Sequence, residues 1–155
     1  MRVITAPEQI QKIGNEVAIF LAGSIEQGTA ELWQDRLIRD LAEADGQVAV
    51  LNPRRKEWDP TWDQSIDNPL FKEQVVWEMD ALDSAHIIVF YFDPNTKAPI
   101  TLMELGLHVD KSECIVCCPP GYWRKGNVDI LCERYGVPVY ETYDAFLVEI
   151  LNNLQ

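Results

Sequence analysis

The sequence predicts an α/β fold: a single domain on a mainly parallel five-stranded sheet, flanked by helices on both faces. Three observations carry this expectation. Short apolar runs alternate along the chain with stretches of helical period. The run His86–Phe92 is apolar at nearly every position, as a strand covered on both faces must be. The length, 155 residues, is that of one domain and allows a substantial core.

Residues 1–14 are expected to be an N-terminal appendage ending at Gly14. Val17–Ala22 is a first strand, bounded by Gly23 and Ser24. Thr29–Leu41 reads as a helix, because Ala30, Trp33, Leu37 and Leu41 share one face with charges between them. Gly46 ends that segment. Val48–Leu51 is a second strand, followed by a polar stretch to Asn68. Asn68-Pro69 starts a helix, Asn as cap and Pro at the first helical position, running to about Leu82. His86–Phe92 is the third strand, broken by Asp93-Pro94-Asn95. A short helix over Leu102–Val109 leads to a fourth strand, Cys114–Cys118, and a turn at Pro119-Pro120-Gly121. Val128–Tyr135 is helical and stops at Gly136. Val137–Tyr140 is a short fifth strand, and Asp144–Leu154 closes the chain as a helix with Leu147, Ile150, Leu151 and Leu154 on its apolar side. This alternation is flavodoxin- or Rossmann-like. Ligands of such sheets bind beyond the carboxyl ends of the strands. Attention therefore falls on Gly23-Ser24, Asn52–Arg55, Asp93–Asn95 and the turn after Cys118.

Composition removes whole classes of function. Lys and Arg number 13 against 25 Asp and Glu, a formal charge of −12. A chain this acidic is expected to have no general affinity for nucleic acid backbones or anionic membrane surfaces. Hydrophobic residues at 47% and charged residues at 25% describe a globular chain rather than a disordered one. The longest uncharged apolar run, Ile87–Phe92, is far short of the roughly 20 residues that span a bilayer. Met1–Ile10 has no secretory apolar stretch, and the protein is expected in the cytoplasm. Cys114, Cys117, Cys118 and Cys132 are then thiols. The Cys114–Cys117 spacing encloses apolar Ile115-Val116 and reads as buried strand, and no second cysteine pair has zinc spacing.

Several residues could carry chemistry, each with a bland reading beside the sharp one. Gly23-Ser24 fits a ligand loop or a plain tight turn; one glycine is not the dinucleotide fingerprint. Arg54, Arg55 and Lys56 could meet a phosphate or simply face solvent. Trp58 and Trp62, without period, suit a pocket for a flat ligand such as a base. Glu78 shares a helix face with Phe71, Val75 and Leu82. A carboxylate inside an apolar stripe needs a partner or a ligand. Asp80 falls on the opposite, solvated side. Glu104 lies among Leu102, Met103, Leu105 and Leu107, with Gly106 allowing close backbone approach; a structural and a catalytic role fit equally. His86 and His108 read as structural or surface residues.

These pieces in this order resemble a nucleoside 2-deoxyribosyltransferase. The resemblance rests on Ile19–Ser24, Trp77-Glu78, the strand His86–Phe92 and, most specifically, Met103-Glu104-Leu105-Gly106. Asn52-Pro53-Arg54-Arg55 and the segment from Trp123 to Val128 are similar to a divergent branch of that family. The resemblance implies that Glu104 is a nucleophile toward C1′ of a 2′-deoxyribonucleoside. It implies that Glu78, with Asp80 as fallback, positions the sugar or nucleophile. It places Gly23 and Ser24 by sugar or base, and Asn52 and Arg54 by the base. The family's base-protonating aspartate would fall at Ala98, which departs from the pattern, so Asp93 takes that role. The family further implies small-molecule substrates, no cofactor or metal, and homo-oligomers in which a neighbour completes each site; Asn127 is the candidate for that contribution. Two alternatives stay open: N-glycosidic hydrolysis of nucleoside 5′-monophosphates, and a non-catalytic nucleotide-binding module.

Overall fold

The structure is a computed structural model that describes residues 1–11, 13–25, 32–43 and 47–154. Its elements run β1 (Arg2–Thr5), β2 (Val17–Gly23), α1 (Trp33–Leu41), β3 (Val48–Asn52), α2 (Pro69–Ser84), β4 (Ile87–Tyr91), α3 (Pro99–His108), β5 (Glu113–Cys117), α4 (Lys125–Tyr135), β6 (Val139–Tyr140) and α5 (Tyr143–Asn152). The six strands form one sheet in the order β1-β3-β2-β4-β5-β6. Every neighbouring pair is parallel. The expected count of five strands is therefore corrected to six. The added strand is β1, inside the stretch read as an appendage.

β1 escapes a pattern search because it is short and lies on an edge. It pairs only with β3, and only Ile4 among its residues is fully buried. Its surroundings nevertheless fix it. Arg2 Nη2 lies 2.7 Å from Glu16 Oε2. The Ala6 N–H donates to Asn52 O at 3.1 Å. Beyond the strand, Trp77 Nε1 of α2 donates to Glu8 O at 2.7 Å.

Alternation along each strand sends its side chains to two separate cores. On one face Ala18, Phe20, Ala22, Leu51, Ile88, Phe90 and Val116 meet α2, α3 and α4 through Trp77, Ala81, Leu105, Val128 and Cys132. On the other face Ile19, Leu21, Val50, Val89 and Ile115 meet α1 and α5 through Trp33, Leu37, Leu41, Phe146 and Ile150. Period 2 in the strands, read against period 3.6 in the helices, produces this layering. The expected start of the first helix at Thr29, its Ala30, and the stop at Gly46 lie outside the described residues.

Helix ends follow local chemistry. The Asn68 side chain accepts from Leu70 N at 3.1 Å and Phe71 N at 3.4 Å, and Pro69 occupies the first turn of α2. Gly136 closes α4 with φ +70°, a conformation that suits glycine. α3 begins at Pro99, three residues before the expected Leu102, and Ala98 ahead of it takes φ +45°. The free cysteines are buried. Burial first, with neighbouring groups, pushes Cys114, Cys117 and Cys118 up to about 12, which denies them thiolate reactivity.

With β1 set aside, the remaining five strands lie in the order 2-1-3-4-5, so the chain's winding reverses between β2 and β4. Gly23 ends β2 there for a packing reason. A Cβ on it would stand 2.7 Å from Tyr91 O and 2.8 Å from Trp33 Cε2. Trp33 stacks on Tyr91 with centroids 5.1 Å apart, so neither neighbour is free to yield. Gly23→Ala is predicted to cost about 1–3 kcal/mol of unfolding free energy, as overpacked cores do. Gly14→Ala, where a Cβ meets nothing within 4 Å, is the control and stays within about 0.5 kcal/mol. Urea denaturation of both variants checks the pair.

Candidate active site

The carboxyl ends of β2 and β4 are joined by one hydroxyl. Ser24, directly after β2, is fully buried. Its N–H donates to Tyr91 O at 3.1 Å, and its carbonyl accepts from Trp33 Nε1 at 3.2 Å. Its Oγ accepts from the Asp93 N–H at 3.1 Å and lies 2.6 Å from Thr96 Oγ1. Asp93, buried as well, accepts at Oδ1 from Asn95 N at 2.9 Å and Asn95 Nδ2 at 3.2 Å. Thr96 N–H donates to Asp93 O at 3.0 Å. Gly23, Ser24 and Asp93 are thus brought together as expected from the strand ends. Gly23 acts through packing, Ser24 through a hydroxyl spent on protein groups, and Asp93 through a side-chain turn.

The far end of the same loop is held from β5. Tyr122 Oη donates to Lys97 O at 2.6 Å, and Trp123 Nε1 donates to the same carbonyl at 2.9 Å. Tyr122 packs on Phe92 with ring centroids 4.9 Å apart. This double clamp precedes Ala98 with its left-handed φ, after which Pro99 launches α3. The clamp therefore sets where α3 begins and where Glu104, one and a half turns in, projects. Position 98, where the family pattern would place an acid, is a buried alanine whose conformation shapes the backbone.

Glu104 is buried at 7% exposure. Glu78 on α2 is half-buried as a residue, but its carboxyl is withdrawn from solvent. Burial pushes Glu78 up to about 7, opposed by a hydrogen bond from Gln74. Burial, reinforced by the charge of Glu78, pushes Glu104 up to about 8. The two carboxyls thus feel each other, and the second proton leaves against both desolvation and like charge. The buried face of α2 is turned from the expected stripe: Gln74, Trp77 and Ala81 lead it, and Glu78 sits on its flank.

Gln74 is the site residue that sequence reasoning missed. Its Nε2 donates to Glu78 Oε1 at 2.9 Å and to Pro53 O at 2.8 Å. Its Oε1 is buried without a partner. The available signal was its position one turn before Glu78. A polar residue at that spacing faces the same way as the carboxylate.

The loop after β3 builds a cleft of about 520 Å3 lined by Asn52, Arg54, Arg55, Lys56 and Trp58, with Asp35 of α1. The Asn52 side chain accepts from Arg54 N at 3.0 Å, turning the chain into it. Arg54 Nη1 donates to Gln34 Oε1 at 3.1 Å. Burial lowers its guanidinium from the ordinary value, and Asp35 opposes that. Arg55 pairs with Glu73 at 3.2 Å. Trp58 packs edge-on against Trp62 at 5.1 Å. Gln74, bonded to Pro53 O, links this cleft to the carboxyl pair.

Asp80 is exposed on α2, on the side of the helix its position predicts, and its carbonyl accepts from Ser84 Oγ. Gly106 faces open space rather than a close neighbour. Asn127 is exposed in the first turn of α4. His86 and His108 have structural partners: His86 Nδ1 accepts from Ala18 N at 2.9 Å, and His108 Nδ1 lies 3.2 Å from Ser112 Oγ. Among the described residues, no three His, Cys, Asp or Glu side chains converge to hold a metal ion, and no helix is long and apolar enough to cross a membrane.

Fold and site together define an α/β protein with two desolvated carboxyls on α2 and α3, beside a cleft at the strand ends. A family model described as nucleoside 2-deoxyribosyltransferase like matches residues 16–122, more than half of the chain, and the protein belongs to that family. The match runs from the start of β2 to the turn after β5, so it takes in both glutamates and most of the cleft lining but not Val3, Thr5 or Asn127. No curated protein matches the chain.

The carboxyl pair makes stability depend on pH. Both groups hold a proton more tightly folded than unfolded. The stability they lend as neutral groups is full below their ordinary value of 4.5 and is lost as pH rises through about 7 to 8. Urea midpoints of the native chain should therefore fall between pH 5 and 8.5 in the cited range, and Glu104→Gln should flatten that fall. An equal slope in both proteins would locate the pH dependence elsewhere.

Proposed function

We propose that the protein transfers 2-deoxyribose between nucleobases by double displacement, with Glu104 as the nucleophile. One observation carries this reading: the glutamate of the Met103-Glu104-Leu105-Gly106 segment is buried beside a second carboxyl at the end of the sheet, within the stretch that matches the family. The strand order supports it, being the flavodoxin-type order whose ligands sit at the switch point.

The steps follow those of a retaining glycosidase. A Glu104 carboxylate oxygen attacks C1′ of a 2′-deoxyribonucleoside. The C1′–N bond breaks, its electron pair leaves with the base nitrogen, and that nitrogen takes a proton. We assign the proton to Asp93. A deoxyribosyl ester on Glu104 remains. A nitrogen of the incoming base then attacks C1′ from the opposite side, its N–H proton passes to the Asp93 carboxylate, the C1′–O bond to Glu104 breaks, and the Glu104 carboxylate is restored. Configuration is retained through two inversions. Glu78 orients Glu104 and the sugar. The unpartnered Gln74 Oε1 beside it is suited to accept from a sugar hydroxyl. Asn52, Arg54 and Trp58 are assigned to the base side, and Gly23 and Ser24 shape the floor. Asn127 is assigned to complete the site of a neighbouring copy in a homo-oligomer.

The test is incubation with deoxyinosine or thymidine, with and without adenine. Deoxyadenosine that forms only with adenine supports transfer. Free base without exchange would move the reading to hydrolysis, and no reaction to a binding module. Glu104→Gln is predicted to lower exchange at least about a thousandfold, as loss of a nucleophile does. Glu78→Ala should lower it about a hundredfold, and Asp80→Ala less than about threefold. A larger loss at Asp80 than at Glu78 overturns the assignment of α2. Because Glu104 attacks only when ionised, kcat/KM should rise with pH through about 7 to 8. A rate independent of pH over that span would remove Glu104 as the ionising group.

A further inference from the structure

The cleft after β3 contains more hydrogen-bond donors than the protein uses. Arg55 lines it, and its side chain is 10% exposed. One guanidinium nitrogen, Nη1, is committed to Glu73, while Nε is buried without a partner. Trp58, also in the lining, has a buried and unpartnered Nε1. Gln34, fully buried behind the cleft, holds Arg54 through its Oε1 and leaves its Nε2 unpartnered. Among the described residues, the buried side-chain atoms of the cleft lining that have no partner are N–H groups. A buried donor without an acceptor is costly, and Arg55 and Trp58 together favour a ligand that brings acceptors.

Charge sharpens this. Arg54, Arg55 and Lys56 are consecutive cations in a chain of net charge −12, and all three line the cleft. Asp35 in the lining and Glu73 against Arg55 offset part of that charge. Neither carboxylate supplies an acceptor to Arg55 Nε or Trp58 Nε1. A flat uncharged base would leave the guanidinium half-satisfied. A phosphate brings three acceptor oxygens and a charge that a planar guanidinium recognises through paired N–H groups. Position agrees: Pro53 lies between cleft residues Asn52 and Arg54, and its carbonyl is bonded to Gln74, which is bonded to Glu78. The cleft therefore adjoins the site assigned to the sugar.

We propose that the cleft between β3 and α1 binds a phosphate monoester, the 5′-phosphate of the nucleoside whose sugar meets Glu104, with Arg55 as its principal donor, while Asn52, Arg54 and Trp58 stay on the base side of the same cleft. The inference rests on the base-exchange reading for the identity of that sugar. It narrows the substrate from nucleosides to nucleoside 5′-monophosphates.

The decisive comparison is thymidine against thymidine 5′-monophosphate, each with adenine as acceptor, in the native protein. The monophosphate should show a kcat/KM higher by about tenfold or more, the size of one or two charge-assisted hydrogen bonds. Inorganic phosphate should compete with it. In Arg55→Gln the ratio of the two kcat/KM values should fall toward one, and Arg55→Lys, which keeps the charge but loses the planar fork, should recover only part of it. A ratio near one in the native protein overturns the proposal while leaving base exchange intact, and needs no variant to fold. If neither substrate exchanges or releases base, the base-exchange reading fails by itself. Equilibrium dialysis against labelled inorganic phosphate then decides the cleft. Phosphate held by the native protein and lost in Arg55→Gln sustains an anion site. No binding overturns it, and binding together with a ratio of one overturns the assignment of the phosphate to the substrate.

Discussion

The Ser24 hydroxyl is the point on which the rest of the site turns. In a parallel doubly wound sheet the chain leaves the two central strands in opposite directions, and a crevice opens between them. The loops that leave those strands have backbone groups no ladder can satisfy. Ser24 answers this with one side chain, accepting from Asp93 N–H and lying within hydrogen-bond distance of Thr96. Its cost is that Gly23 must have no side chain, because Trp33 and Tyr91 close around it. From Thr96 the chain passes to Lys97, whose carbonyl is clamped by Tyr122 and Trp123, and then to α3 with Glu104. A serine just after β2 and two aromatic residues after β5 together set where the helix that bears Glu104 begins.

The fold was largely legible in the sequence because its core strands are apolar on both faces and its helices are separated by strong punctuation. Asn68-Pro69 and Gly136 marked helix ends through chemistry that is local. What was not legible depended on distant partners. β1 is four residues on an edge, and it is recognisable only once β3, Glu16 and Asn52 are beside it. The start of α3 at Pro99 depends on a clamp on the Lys97 carbonyl from residues 25 and 26 positions after Lys97. A local reading therefore joined Pro99 to the loop.

The site divides in the same way. Glu104 and Glu78 stood out because a carboxylate among apolar neighbours is conspicuous in one dimension. Gln74 did not, since a neutral polar residue on a helix reads as surface until Trp77 and Ala81 show which face is buried. The cationic triplet was visible, but its meaning was not. Only the structure distinguishes Arg55, nine-tenths buried with an idle Nε, from Lys56, which is exposed. Gly106 was over-read: a glycine beside a nucleophile suggested close approach, and the helix leaves open space there.

Burial and like charge make the carboxyl pair costly to ionise, and that cost bears on the proposed chemistry. Desolvation and mutual repulsion both favour a proton on the pair, whereas a nucleophile must be ionised. The two requirements meet in the transition state. As the glycosidic bond stretches, positive charge develops on the sugar ring. A cation between two carboxylates relieves their repulsion and replaces the solvation that burial removed. Interactions that strengthen as charge develops lower the barrier, whereas those equal in ground and transition state do not. In the proposed reaction, the burial that raises both pKa values would therefore weaken Glu104 as a resting nucleophile and strengthen its hold on the oxocarbenium-like sugar. The same dryness disfavours water as the second nucleophile, which is the condition for a base to intercept the ester.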